Sequence, residues 1–236
     1  MEAWYPGVEG GVAIAGALFG QKGYNRFGKL PVTVYDSTFS SNVNMLDMSF
    51  TTPPLGRSYR YWRGATPLFE FGTGMSFTEF ALRWLGGTPP PAASLVLSGK
   101  DSFVTLSVVV ENTGSAYEGE EVVMLYHSPD PATVGSRTDK GIWLPARRLV
   151  DFERTPMLAP AATTTLHFRV NATQLGLVDT KGDTVLYAGV HTITLDRGVR
   201  SDMLGAPGAS ADALLQVDAV VQLPGGAANL LLDTLL

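Results

Sequence analysis

Apolar and polar residues alternate one by one through the second half of this chain. Val104, Leu106, Val108 and Val110 share one parity, with Thr105, Ser107 and Glu111 on the other. Leu166, Phe168 and Val170 alternate with Thr165, His167 and Arg169, and Ile193 and Leu195 with Thr192 and Thr194. Leu215, Val217, Ala219, Val221 and Leu223 alternate with Gln216, Asp218 and Gln222. Leu95 and Leu97 begin the pattern, Val122 to Tyr126 is a continuous apolar run, and Asp151 and Glu153 alternate on a further strand. A period of two sends successive side chains to opposite faces of a sheet, one toward a core and one toward water. About seven short strands in roughly 100 residues, joined by turns such as Asn112-Thr113-Gly114, fit an antiparallel immunoglobulin-like sandwich.

The first half has another texture. Gly10 to Gly20 reads as one helix, rich in alanine and leucine and stopped by Gly20. Its apolar residues lie all round, which predicts burial on several sides. Gly23 to Pro31 reads as a loop, and Pro31 to Tyr35 as a short strand. From Asp36 to Phe80 no period is sustained, an unusual stretch for a self-contained domain. Leu85 to Ala93 reads as a linker.

With 236 residues, 45% hydrophobic and 17% charged, the chain is long and apolar enough for a sizeable core. The net charge of −5 has no basic block, which argues against a nucleic-acid partner. No apolar stretch reaches the ~18 residues of a membrane span. The absence of cysteine removes disulfides, thiolate metal sites and cysteine nucleophiles.

Each candidate site has a plainer reading beside it. Gly7-Val8-Glu9-Gly10-Gly11 before a helix offers amide groups to an anion, but it is no phosphate-loop motif and Glu9 is negative. The plainer reading is a tight turn with Glu9 near a helix N-terminus. His127, His167 and His191 fall singly on strands without ligand spacing; a metal requires them to meet in space, and the alternative is solvent-facing or core-satisfied residues. Glu118, Glu120 and Glu121 after a turn, and Asp151 and Glu153 on a strand, read as solvated faces. No serine elbow is present. In Gly56 to Gly64, Tyr59, Tyr61 and Trp62 interleave with Arg57, Arg60 and Arg63. This is a platform for sugars or nucleic acid, or a clamp between parts of the chain. The clamp is preferred, because the neighbouring sequence has no period of its own.

The motifs together resemble glycoside hydrolase family 3. "WYPGVEGGVAIAGALFG" followed by "GKLPVTVY" is similar to the late part of its second domain. "GRSYRYW" and "PLFEFGTGMSFTEF" are similar to motifs that follow there. "VVVENTGSAYEGEEVVMLYHSP" and "RRLVDFERTPMLAPAATTTLHFRV" resemble its C-terminal fibronectin type III-like domain. "VNMLDMSF" leans toward the β-xylosidase-like branch. The resemblance covers residues 3 to about 197. Departures are Met124 in place of glutamine, His127 after the tyrosine, Ala161 where a glycine follows Pro160, Ala188 where proline is common, and a long 128–146 connection containing Trp143. The 201–236 tail carries no motif of the family.

The resemblance implies a mainly β fold in which a fibronectin type III-like antiparallel β-sandwich follows the last helix and loop of an α/β sandwich. The implied division is 1–35 for the end of that α/β sandwich, 36–91 for a connector and linker, and 92–236 for the sandwich with an extension. It implies a retaining glycosidase of β-xylosidase or β-glucosidase type, whose two carboxyls stand about 5 Å apart. Both lie upstream of the Tyr-Pro-Gly motif in the family, so no catalytic, cofactor or metal residue is assigned here. The implied partners are the N-terminal barrel and sandwich domains and a β-linked oligosaccharide, with no nucleic acid and no membrane. An extracellular location is implied by the family, and Asn171-Ala172-Thr173 is a glycosylation sequon. Residues 1–80 are expected to pack poorly in this chain by themselves. Two other readings stay open: a stand-alone interaction module, and a carbohydrate-binding module using Tyr59, Tyr61 and Trp62.

Overall fold

A computed structural model of the chain describes residues 1–52, 55–87, 89–90, 96–97, 99–135, 142–198, 211–217 and 221–223. Leu95, Ala219 and most of the 201–236 tail lie outside the described residues. The order begins with α1 (Gly10–Leu18) and two single-turn helices, α2 (Phe39–Asn42) and α3 (Ser58–Tyr61). Strands follow: β1 (Phe80–Trp84), β2 (Val96–Leu97), β3 (Phe103–Asn112), β4 (Val122–Pro129), β5 (Arg148–Arg154) and β6 (Thr163–Asn171). Then come α4 (Ala172–Leu175), β7 (Leu177–Val178), β8 (Thr184–Leu186), β9 (Gly189–Asp196), β10 (Ala211–Val217) and β11 (Val221–Gln222).

One sheet has the order β1-β3-β6 and the other β2-β10-β9-β4-β5, with a small β11-β8-β7 sheet beside them. Their facing sides bury Leu106, Val108 and Val110 of β3, Leu166, Phe168 and Val170 of β6, Val123 and Leu125 of β4, and Ile193 and Leu195 of β9. The alternation in β3, β6 and β9 therefore marks the core face. β4 is buried on both faces, since Val122, Met124 and Tyr126 form a second cluster with Tyr59, Phe71 and Leu149. This explains its continuous apolar run: the outer side of the sheet is covered by the first half of the chain.

The antiparallel sandwich is as expected, with one two-residue parallel pairing, β2 to β10. Three expectations are corrected. Sheet pairing starts at Phe80 rather than 92, because Phe80, Leu82 and Trp84 bury one side of β1 against β3. Residues 31–35 make only a bridge, Val34 to Phe69, since the partner segment turns away at Glu70–Thr73. The single strand expected over 215–223 is divided between β10 and β11, which lie in different sheets.

The missing glycine after Pro160 has a visible consequence. Ala161 adopts φ +62°. Its amide donates to the Asn112 carbonyl at 2.9 Å, and the Asn112 amide donates to the Ala162 carbonyl at 3.0 Å. The turn keeps its left-handed shape with an alanine, at a cost of roughly 1 kcal/mol.

Candidate functional site

The region of interest is the N-terminal loop-and-helix and the seam that fastens it to the sandwich. In the loop, the Gly10 amide donates to the Gly7 carbonyl at 2.9 Å and the Ala13 amide to the Glu9 carbonyl at 3.1 Å, which starts α1. Glu9 is exposed at the N-cap, and its side chain caps nothing. Gly16 is buried because the Tyr24 ring lies against it; a Cβ there would stand 2.5 Å from the ring. Only Gly10 and Gly16 of α1 are buried. Val8, Val12, Leu18 and Phe19 are exposed, as are Trp4 and Tyr5. The all-round burial expected for this helix is not supplied by the described residues. What stands there is an apolar surface of helix and loop.

The seam behind it is polar and well made. Asn25, almost fully buried, donates from its amide to the Glu118 carbonyl at 2.9 Å. Its Oδ1 accepts from Ser76 Oγ at 2.9 Å and the Phe77 amide at 3.2 Å. Glu120 receives Arg26 on one oxygen at 2.5 Å and Arg154 on the other at 3.2 Å. Glu121 receives Lys29 at 2.6 Å, with Arg197 at 3.9 Å, and all three of these side chains are nearly buried. Gly72, at φ +85°, brings the chain over Tyr126; a Cβ there would stand 2.6 Å from the phenol oxygen. The Gly74 amide donates to the Gly198 carbonyl at 3.2 Å.

Two expectations fail here for one reason. Glu120 and Glu121 are buried ion-paired groups and not a solvated face, and residues 24–31 and 69–79 are fastened rather than loose. A buried carboxylate is tolerated when cations and hydrogen bonds meet it, and two of the four cations, Arg26 and Lys29, come from about 90 residues earlier in the chain. Glu118 is half-buried, Asp151 half-buried and Glu153 exposed, so the strand pair keeps its solvated reading.

The aromatic cluster is a clamp. Tyr59 stacks on Phe71 with centroids 4.0 Å apart and meets Tyr126 edge-on at 6.2 Å. Its hydroxyl accepts from the Leu149 amide of β5 at 3.0 Å. Each such ring pair contributes about 0.5–1.5 kcal/mol beyond its burial. Trp62 closes on Tyr35 and Phe39, which themselves stack at 4.1 Å, and donates from its indole to the Ala65 carbonyl at 2.7 Å. Arg63 lies over Trp143 at 5.2 Å. Burial holds the Tyr126 phenol well above its ordinary pKa. A small hollow edged by Tyr35, Asp36, Phe39 and Trp62 remains, with Asp36 held below the usual carboxylate range by its hydrogen bond from the Thr38 hydroxyl. The faces of Tyr59 and Trp62 are thus given to neighbouring rings.

The three histidines separate into two groups. His167 Nδ1 pairs with Ser107 Oγ at 2.8 Å on the outer side of β6. His127 and His191 meet inside the sandwich, Nε2 to Nδ1 at 2.8 Å. Among the described residues no three His, Cys, Asp or Glu converge as a metal site, and no helix is long and apolar enough to cross a membrane. Sequence reasoning missed Asn25, Arg26, Lys29 and Asn112 as the fastening residues. For two of them a signal was present, since Lys29 stands in the Gly-Lys-Leu-Pro motif and Asn112 in Asn-Thr-Gly.

Residues 121–198 match the fibronectin type III-like domain. Over most of its length the chain is similar to curated β-glucosidases and β-xylosidases. A probable beta-glucosidase J of Neosartorya fischeri is 37% identical over 173 residues, which are 69% of this chain and 18% of that protein. A beta-xylosidase of Formosa agariphila is 30% identical over 209 residues, 86% of this chain and 26% of that one. The structure of a β-glucosidase from Erythrobacter marinus superposes with a TM-score of 0.64 at 26% identity, over 91% of this chain and 24% of that one. A GH3 exo-beta-xylosidase in complex with a xylobiose aziridine probe shares the fold, with a TM-score of 0.70 at 22% identity over 92% of this chain and 27% of that one. The chain spans about a quarter or less of the length of the two curated relatives.

Proposed function

We propose that this chain is the C-terminal scaffold of a retaining β-glycosidase acting on β-linked xylosides or glucosides, with both catalytic carboxyls on other domains of the enzyme. One observation carries the reading: the Tyr-Pro-Gly loop and α1 present an apolar surface while their rear is locked to the sandwich by buried ion pairs. A loop and helix exposing Val8, Val12, Leu18 and Phe19 call for a covering surface. The barrel and α/β sandwich of a family 3 enzyme supply one. In this reading the sandwich sets the position of the loop, and the loop borders the sugar site. The rings packed against Tyr59 and Trp62 favour the clamp over the carbohydrate-module alternative.

The test is a chimera. The C-terminal quarter of a family 3 β-xylosidase is replaced by residues 4–236, with the junction immediately before Trp4. The expected result is a folded enzyme that still hydrolyses a chromogenic β-xyloside. A chimera that folds as one cooperative unit and has lost all turnover contradicts the proposal.

A further inference from the structure

We infer that His127 and His191 form an acid-operated latch, which fastens the turn after β4 at neutral pH and frees it when the pair takes up a proton. The hydrogen bonds assign the protons. The Tyr187 carbonyl can only accept, and it lies 2.9 Å from His191 Nε2, so that nitrogen carries the hydrogen. His191 Nδ1 is therefore bare and accepts from His127 Nε2–H at 2.8 Å. His127 Nδ1 is then bare as well, and it has no hydrogen-bond partner among the described residues. Both residues are fully buried, with rings stacked at 5.0 Å. The one site open to a further proton is a sealed lone pair.

The surroundings oppose that proton. Arg148 of β5 is a half-buried cation whose guanidinium donates to the Gly176 and Gln174 carbonyls, not to a carboxylate. Asp130, in the turn after β4, is the negative group facing His191, and a hydrogen bond from the Thr133 hydroxyl keeps it ionised. With Tyr187, these are the titratable and charged groups around the pair among the described residues. Burial, with His191 and Arg148 adding to it, holds His127 well below its ordinary 6.5. An opened His127 titrates near that ordinary value while the closed one does not. Falling pH therefore favours the open form from about 6.5 downward, and the fastening is complete above it.

What opens is defined by the neighbouring bonds. The Asp130 amide donates to the Val190 carbonyl at 3.0 Å, and the Val190 amide to Thr133 Oγ at 2.9 Å. Ser128 Oγ donates to the Ala146 carbonyl at 2.8 Å, and the Ala146 amide to the Arg60 carbonyl at 2.7 Å. Displacing the two rings loosens 128–135 together with the strut that reaches the aromatic clamp.

Native-state hydrogen exchange on the full chain between pH 7.5 and 5 tests this. After correction for intrinsic exchange, opening of peptides covering 128–135 and 187–193 is expected to rise about tenfold per pH unit per proton below about 6.5. His127→Gln keeps a donor to His191 Nδ1 without a titrating ring at 127, and its opening is expected to rise less steeply with falling pH, since only His191 remains to take up a proton. An unchanged slope in that variant overturns the latch. So does long-range nitrogen–proton NMR of the wild-type chain at neutral pH showing a hydrogen on His127 Nδ1. If the variant does not fold, the wild-type exchange map decides, because acid opening spread evenly over the sandwich also contradicts the inference.

Discussion

Glu121→Ala is expected to free the Asn25–Pro31 segment from the sandwich. The substitution leaves Lys29 and Arg197 nearly buried without their shared carboxylate, and it also removes the acceptor of the Val122 amide, 2.7 Å from Oε1. Breaking a buried pair by removing one partner costs about 3–5 kcal/mol. The two stranded cations respond differently. Lys29 sits on a segment that can swing into water, so its share of the cost is relieved by detachment. Arg197, at the end of β9, has no such exit. Detachment is therefore expected first, read as faster proteolysis between Gly20 and Pro31, followed by a lower denaturation midpoint of the sandwich. Glu121→Gln keeps an acceptor for the amide and is expected to lose the docking while sparing most of the midpoint. A Glu121→Ala chain with wild-type cleavage kinetics and a stability loss under about 1 kcal/mol shows that the seam does not rest on this pair.

Asn112→Ala carries the second large effect. Its side-chain amide donates to the Tyr117 and Leu158 carbonyls, both at 2.9 Å. Its Oδ1 accepts from Thr78 Oγ at 2.6 Å and the Gly114 amide at 3.1 Å. The residue is fully buried, so alanine leaves the Thr78 hydroxyl without its acceptor, opens a void, and takes one donor each from the Leu158 and Tyr117 carbonyls. A buried group left without its partner costs about 1–3 kcal/mol, and the void with partial rearrangement of the turn brings the expected total to about 3–5 kcal/mol. Asn112→Asp is expected to be about as damaging, because a carboxylate faces two carbonyls that need a donor. Urea unfolding of the two variants checks this, and wild-type midpoints would show that the Asn-Thr-Gly turn is held by its backbone alone.

The alternating strands were legible because one face of each meets a single core. Leu106, Phe168 and Ile193 are buried as their parity requires. β1 also alternates, but over five residues within an aromatic-rich motif, too short to stand out. The buried glutamates were not legible, since a carboxylate run looks the same whether its partners are water or Arg26 and Lys29. The histidine pair was hidden by register. His127 lies opposite Ile193 on β9, so His191, two residues along, is its diagonal neighbour on the same face. No local pattern encodes that meeting. The motifs shared with family 3 named the right residues without showing what they do. Lys29, Glu121, Asn112 and Gly72 are fastening residues, which explains a resemblance to an enzyme family in a stretch to which no catalytic role is assigned.

The central claim is that this chain supports catalysis without performing it. Its most direct test is turnover of a chromogenic β-xyloside by purified 1–236, measured beside a Glu9→Gln variant. Retaining hydrolysis needs two carboxyls facing each other across one sugar, one ionised and one protonated. Glu9 is exposed at the start of α1, and Glu120 and Glu121 are committed to arginine and lysine. The account predicts no rate above buffer from either protein. Sustained turnover by the wild-type chain that disappears in Glu9→Gln would contradict it and make this chain an enzyme in its own right.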